Sequence, residues 1–178
     1  MVYARSGAPG ELGELEALCN SARLLYTEDA LITSASAAAW LREQGRDLGE
    51  PNRKEHDLLV TLRETVREHL AGTSPEASAT TLNRIAKSTV VGIRWSPEGE
   101  PVLPPKRPSG VETYVAELLG ALFTAGLSGE LDKLKVCRNP ACRYVFYDRS
   151  PAQNSVWCSM DICGARNKMR TYRSRHVG

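Results

Sequence analysis

Four of the five cysteines in this 178-residue chain lie close together near its C-terminal end. They follow the pattern C-x4-C-x15-C-x4-C and are Cys137, Cys142, Cys158 and Cys163. Thiolates are preferred ligands of structural zinc, and two close pairs joined by a linker can each supply one edge of a tetrahedron. The spacing therefore predicts one structural Zn²⁺ per chain, bound by these four side chains.

Two other interpretations of the four cysteines are a pair of disulfides and a group of buried thiols. Residues 1–10 contain no apolar run that would serve as a signal peptide. No window approaches the roughly 18 apolar residues of a membrane span. We therefore expect a cytoplasmic protein outside the membrane, where thiols stay reduced and clustered cysteines favour metal. The fifth cysteine, Cys19, lies on an apolar helix face and is expected in the core.

The net charge of +2 is unevenly distributed along the chain. Residues 1–136 contain 15 basic and 19 acidic residues, a net charge of −4, whereas residues 137–178 contain 8 basic and 2 acidic residues, a net charge of +6. A basic segment indicates an anionic partner, with nucleic acid as the first candidate. The alternative is a basic tail that is merely solvated.

The residues between and after the cysteine pairs predict a hairpin and a helix. The aromatic run 144–148 alternates as a strand does, and residues 156–157 are its predicted partner strand. Ser159 is a good N-cap for a helix that begins at Met160, which places the second cysteine pair around the first turn. The positive end of the helix dipole then faces thiolate charge. Knuckle, hairpin and helix in this order predict a treble-clef-like module.

The terminal helix has an apolar stripe with basic residues on both sides. At about 100° per residue the stripe is expected to pack on the hairpin, and it comprises Ile162, Ala165, Met169 and Tyr172. Five basic residues occupy ten positions with no acidic residue among them: Arg166, Lys168, Arg170, Arg173 and Arg175. We expect these five side chains to bind nucleic acid through the phosphate backbone or in the major groove.

The first 136 residues predict a helical domain with one small β element. Apolar residues recur at helical spacing in 11–26, 34–44, 55–70, 75–87 and 111–127. Residues 89–95 predict a strand, with 101–103 as its short partner. Ser34 or Ser36 is the predicted N-cap of the second helix, and Ser109 with Glu112 has capping-box spacing before the last. The fold class is mainly α, with a helical domain at 1–136 and a zinc module at 137–178.

The cysteine segment resembles a known family in several specific motifs. The stretch CRNPACRYVFYDRSPAQNSVWCSMDICGAR, with N-P inside the first cysteine pair, D-x-S in the linker, then W-C-S-M and C-G-x-R, resembles the CGNR zinc finger. The resemblance implies that the same four cysteines are the zinc ligands. It departs from the family at Ala165, which replaces the asparagine of C-G-N-R and which the helical projection places facing inward.

The N-terminal region is similar to the ABATE domain that accompanies this finger. The similarity rests on LCNS at 18–21, AAWLREQG at 38–45 and LRETVREHL at 62–70. Such two-domain proteins are regarded as bacterial transcription regulators, so the resemblance implies DNA binding. The helical domain is then expected to sense a small-molecule effector, entering near residues 95–110, or to mediate assembly such as a homodimer.

Three classes of function follow from these patterns. The leading one is a DNA-binding transcription regulator whose basic helix is held by zinc. The alternative is a protein- or RNA-interaction module on the same zinc scaffold, because the fold does not decide the partner. An enzyme is not expected, because a zinc site closed by four cysteines has no open position for water or substrate.

Overall fold

The computed structural model describes residues 5–176, without the side chain of His176. Residues 1–4 of the predicted helical domain (1–136) and residues 177–178 of the predicted zinc module (137–178) lie outside this range. The same holds for the first four residues of the segment 1–10, which was predicted to contain no signal peptide. Six α-helices dominate the described chain: α1 Glu11–Asn20, α2 Ser34–Glu43, α3 Arg53–Ala71, α4 Pro75–Thr89, α5 Val111–Ser128 and α6 Ala165–His176. No helix between residues 5 and 176 is long and apolar enough to cross a bilayer.

Six short strands form three antiparallel pairs within the described residues. They are β1 Ala22–Arg23 with β2 Glu28–Asp29, β3 Arg94–Trp95 with β4 Pro101–Val102, and β5 Leu134–Val136 with β6 Val145–Tyr147. The predicted mainly α fold with small β elements and a C-terminal cysteine module is confirmed.

The helical core forms where α1, α3 and α5 contact one another, and α4 packs against α3 and α5. The periodic leucines predicted for the core are buried there, among them Leu15, Leu18, Leu59 and Leu62. Burying an aliphatic side chain of this size contributes about 1.5–3 kcal/mol. The amphipathic stripe seen in the sequence is thus the main stabilising feature of this part of the chain.

The first helix ends six residues earlier than predicted, at Asn20. Two buried arginines of α3 hold the segment that follows it. Arg63 forms two hydrogen bonds with Asp29, at 2.6 and 2.9 Å, and Arg67 donates to the carbonyls of Cys19 and Ala22. Because these carbonyls are satisfied by a neighbouring helix, the chain can leave α1 and form the β1–β2 turn.

Several predicted element ends are wrong in detail. The N-cap of α2 is Thr33, in a capping box with Ser36. Helix α5 begins at Val111 after the N-cap Gly110, whose φ of 92° only glycine adopts without strain, and Ser109 provides no cap. Helix α4 continues to Thr89, so the predicted strand 89–95 is reduced to the two residues of β3 and a single bridge at Val90.

Strand β6 is buried on both of its faces. Val145 and Tyr147 lie in the core formed by the helices, whereas Phe146 lies against the cysteine cluster. Successive side chains of a strand point to opposite faces, so one short strand serves both regions. The predicted pairing of this strand with residues 156–157 is wrong. Its partner is β5, which precedes the first cysteine.

Candidate metal centre

The four predicted cysteines come together in one buried cluster. Each is at most 2% exposed, and their four sulfur atoms all lie within 4.8 Å of one another. The Cys158 Sγ atom lies 3.7 Å from both Cys142 Sγ and Cys163 Sγ. Zn–S bonds of about 2.3 Å at tetrahedral angles place sulfurs about 3.8 Å apart. The cluster therefore has the size and donor set of a single tetrahedral metal site.

The first cysteine pair is held in the loop between β5 and β6. The Cys137 backbone N–H donates to the Tyr144 carbonyl at 2.9 Å, and the Cys142 N–H donates to the Asn139 carbonyl at 2.8 Å. The chain then turns sharply, because Arg143 has a positive φ of 49°. The pairing of β5 with β6 thus closes the loop that carries Cys137 and Cys142, and it sets the distance between their sulfur atoms.

The second cysteine pair lies at the start of the terminal helix, as predicted. Ser159 is the N-cap, and its Oγ accepts from the Ile162 backbone N–H at 3.3 Å. The segment Met160–Gly164 forms one wide π-helical turn before α6. The backbone N–H groups of Ile162, Cys163 and Gly164 all donate to Ser159, the first to its Oγ and the other two to its carbonyl.

Asn139 connects the two cysteine pairs. Its Nδ2 atom lies 3.5 Å from Cys163 Sγ and donates to it, while its Oδ1 accepts from the Ala141 backbone N–H at 3.2 Å. The asparagine of the Asn-Pro dipeptide therefore has two structural roles. Its side-chain amide orients the Cys163 thiol of the second pair, and it stabilises the loop of the first pair.

The thiols of the cluster influence one another electrostatically. Hydrogen bonds from Cys142 and Cys158 lower the pKa of Cys137 to about 2. The hydrogen bond with Cys137 raises the pKa of Cys142 to about 12, and the contacts with Cys137 and Cys142 raise the pKa of Cys158. Four adjacent sulfurs cannot all carry negative charge without a cation between them, and a divalent metal ion supplies that charge. Cys19 stays apart in the helical core, where burial raises the pKa of its thiol to about 12.

A buried carboxylate organises the linker between the cysteine pairs. Asp148 is fully buried, and it accepts hydrogen bonds from Lys135, Ser150 and Ser155. Burial acts to raise the pKa of Asp148, but the hydrogen bonds from Lys135 and Ser150 outweigh it and hold the pKa below its usual range. The D-x-S motif of the sequence therefore stabilises the fold of the linker. The motif alone does not reveal this role, because the partners of Asp148 are identified only in the folded chain.

The segment before α1 also contacts the metal module. Arg5 donates to the Cys158 carbonyl at 3.0 Å and to the Trp157 carbonyl at 3.3 Å, and its guanidinium lies 4.7 Å from the centre of the Phe146 ring. Nothing in the sequence signals this contact, because it joins positions about 150 residues apart. It shows that the N-terminal segment supports the second cysteine pair.

Asn20 joins the helical region to the module. Its Nδ2 donates to the Val145 carbonyl at 2.8 Å, and its Oδ1 accepts from the Val145 backbone N–H at 2.9 Å. The side chain thereby takes both backbone groups of one β6 residue, as a paired strand would. The motif LCNS thus has a physical explanation, since Leu18 and Cys19 are buried in the core and Asn20 forms hydrogen bonds with β6.

The five basic residues predicted to bind nucleic acid are all exposed on α6: Arg166, Lys168, Arg170, Arg173 and Arg175. Three of them line an open groove of about 580 Å³ together with Tyr26 and Met169; these three are Arg166, Arg170 and Arg173. Asp161 also lines this groove. The helix thus presents a dense positive surface directly beside the cysteine cluster.

The predicted inward stripe of α6 is wrong. Ala165 is exposed, Met169 is 54% exposed and Tyr172 is 60% exposed. Of the four predicted residues, Ile162 alone packs against the cysteine cluster. No side chain between residues 165 and 175 is buried, because this helix makes its main contacts with the preceding turn Met160–Gly164 rather than with the hairpin. The position of the family asparagine therefore faces solvent.

Two family models match the chain, in the predicted order. The ABATE model, described as "Putative stress-induced transcription regulator", matches residues 16–127, and the model of the CGNR zinc finger matches residues 133–176. No curated protein matches the chain significantly. Both resemblances predicted from short words of the sequence are confirmed.

Proposed function

Because the chain belongs to the ABATE family and ends in a CGNR zinc finger, we propose that it is a zinc-containing, DNA-binding regulator of transcription. In this proposal the basic helix α6 contacts DNA, and the helical domain senses a ligand or mediates assembly. The observation that supports it most strongly is the position of α6. This helix starts at the metal cluster and exposes five basic side chains, with no acidic residue between them.

The metal has a structural role in this proposal, with one Zn²⁺ per chain. Cys137, Cys142, Cys158 and Cys163 would bind it, and four such ligands leave no open coordination position. We therefore assign no catalytic step to the site. Elemental analysis of protein purified without chelator should find one equivalent of zinc. Another metal, or none, would contradict this assignment.

The arginines that line the groove of α6 are the proposed phosphate contacts. Each phosphate contact contributes about −0.9 to the slope of log affinity against log salt for duplex DNA. The triple variant Arg166→Ala/Arg170→Ala/Arg173→Ala should therefore bind duplex DNA more weakly and flatten that slope by up to about three units. Fluorescence anisotropy of labelled DNA at several salt concentrations measures both quantities.

A matched control separates specific contacts from the general loss of charge. The triple variant Arg53→Ala/Lys54→Ala/Arg84→Ala removes three exposed basic side chains from α3 and α4. It should leave the affinity and the slope nearly unchanged. Zinc content must be equal in the wild type and in the two triple variants, because a loss of metal would indicate that the cysteine module has unfolded. Equal binding by the two triple variants would refute the assignment of α6 as the DNA-contacting element.

A second candidate function is a module that binds RNA or protein. The observation in its favour is the exposed apolar part of α6, since Met169 and Tyr172 are each more than half exposed beside the arginines. Aromatic and apolar side chains of this kind stack on unpaired bases or pack against a protein partner. Competition of labelled duplex DNA with single-stranded RNA distinguishes the two functions. Stronger binding of RNA at every salt concentration would favour the second.

A further inference from the structure

An apolar groove lies in the helical region, away from the cysteines. It has a volume of about 740 Å³ and is bounded mainly by α4, α5 and parts of the segment 90–106 that joins them. Its floor and walls are largely aliphatic and aromatic, and include Leu82, Val90, Ile93, Leu119, Leu122 and Phe123. Sites for small organic molecules commonly have about this volume and this mainly apolar lining.

The polar residues of this groove are basic or neutral. They are His69, Asn83, Lys87 and Lys106, and no acidic residue of the described part of the chain lines the groove. Lys106 donates to the carbonyl of Lys87 at the last turn of α4, which brings the two lysines together at one end. Among residues 5–176, neither lysine forms an ion pair. Two ammonium groups beside an apolar surface form an arrangement that attracts an anion with an apolar body.

The rim of the groove carries large apolar side chains that remain exposed. Val91 is 45% exposed, Ile93 is 58% exposed, and Phe123 and Leu127 are 48% and 76% exposed. All four line the groove. Exposed apolar groups clustered around one concavity usually mark a binding surface, because covering them removes apolar area from water.

We propose that this groove binds a small amphipathic organic anion, such as a carboxylate with a long alkyl chain. The apolar chain would lie on Leu119, Leu122 and Phe123, and the carboxylate would lie near Lys87 and Lys106. Charge complementarity favours this occupant over a second copy of the chain docked face to face, which would bring the same lysines near each other. The inference rests on the ligand-sensing role proposed above and names the ligand class.

The direct test is titration of the full-length protein with dodecanoate, below its micelle concentration, by isothermal calorimetry. Dodecanol serves as the uncharged comparison, because it has the same chain and no carboxylate. Wild-type protein should bind one dodecanoate per chain and should bind dodecanol at least tenfold more weakly. The variant Lys87→Gln/Lys106→Gln should lose most of this preference, whereas the control Arg84→Gln/Lys54→Gln should retain it.

A second pair of variants tests the location. Gly126 lines the groove on α5, and a Cβ added there meets only Leu131 at 3.9 Å, so Gly126→Phe should fit the fold and fill the groove. Gly120 lies on the same helix, outside the lining, and a Cβ added there meets nothing within 4 Å. Dodecanoate binding should fall at least tenfold in Gly126→Phe and stay within twofold of wild type in Gly120→Phe.

Three results would overturn the inference. They are a lack of dodecanoate binding by wild-type protein, equal affinity for dodecanol, and equal binding by the two glycine variants. Sedimentation of the same proteins identifies the other occupant, because a dimer that only Gly126→Phe dissociates would assign the groove to a second copy. The titration uses no DNA. Failure of ligand binding is therefore distinguishable from failure of DNA binding by α6.

Discussion

The helical region and the cysteine module are stabilised in different ways. The helical core is a large apolar cluster with contributions from α1 to α5. The core of the module consists of four cysteines and Phe146, with partly buried neighbours such as Tyr144 and Trp157. A cluster this small buries too little apolar area to offset the entropy of ordering its own loops. We therefore expect the module to depend on a bound metal ion, whereas the helical region relies on packing.

The two regions are nevertheless joined by one strand. Strand β6 contributes Val145 and Tyr147 to the helical core and Phe146 to the cysteine cluster, and Asn20 binds its backbone. The predicted domain boundary between residues 136 and 137 stays a prediction. It falls inside the β5–β6 pair, so the two regions are expected to influence the stability of each other.

The largest effect is expected from removing a metal ligand. Cys158→Ser should abolish stoichiometric zinc binding and unfold the module, because structural zinc contributes on the order of 10–16 kcal/mol in small sites. The helical signal in circular dichroism should largely remain, since the main core lies elsewhere. Cys19→Ala is the control, and it should keep its zinc. Loss of the helical signal together with the zinc would mean that the regions fold as one unit.

A pair of truncated chains measures the contribution of β6 to the helical core. A chain that ends at Lys135 lacks this strand, whereas a chain that ends at Asp148 keeps it and still lacks the second cysteine pair. Val145 and Tyr147 are both buried, so the longer chain should be more stable by about 3–6 kcal/mol. Urea unfolding followed by circular dichroism gives the difference. Equal midpoints would show that the helical core is complete without β6.

Removing the charge of Asp148 should destabilise the linker of the module. Asp148→Asn disrupts a buried carboxylate bound by Lys135 and two serines, at a cost on the order of 3–5 kcal/mol. The folded-state pKa is below the ordinary value of about 3.9, so this stability is present above that pH and is lost as the pH falls through the folded-state pKa. The difference between the two proteins in thermal unfolding should therefore be constant from pH 8 to pH 5.

The smallest of these effects is expected at the contact between the regions. Asn20→Ala leaves the N–H and carbonyl of Val145 without their side-chain partner, at a total cost of about 1–3 kcal/mol, because water can partly replace these part-buried hydrogen bonds. Zinc affinity and helical stability should both decrease, because β6 belongs to both cores. Asn154→Ala, an exposed change in the linker, is the matched control. A change in only one of the two properties would indicate that β6 does not couple them.

The sequence by itself determined the features that depend on local spacing. Two C-x4-C pairs specified the metal cluster, Ser159 specified the start of the helix after it, and the leucine periodicity of α1 and α3 specified the buried faces. In each case the residues that act together are a few positions apart, or belong to a recurring pattern of ligands. Their chemistry therefore appears directly in the order of the letters.

Tertiary structure decided the features that join distant parts of the chain. Only packing shows that β6 pairs with β5, that Asn20 binds Val145 across 125 positions, and that Arg63 and Arg67 are buried. The exposure of Ala165 is likewise a tertiary feature, because α6 makes its main contacts with the turn that precedes it and none of residues 165–175 is buried. Periodicity shows which residues share a face of an element. What covers that face depends on neighbours that are remote in sequence and are brought together only when the whole core is packed.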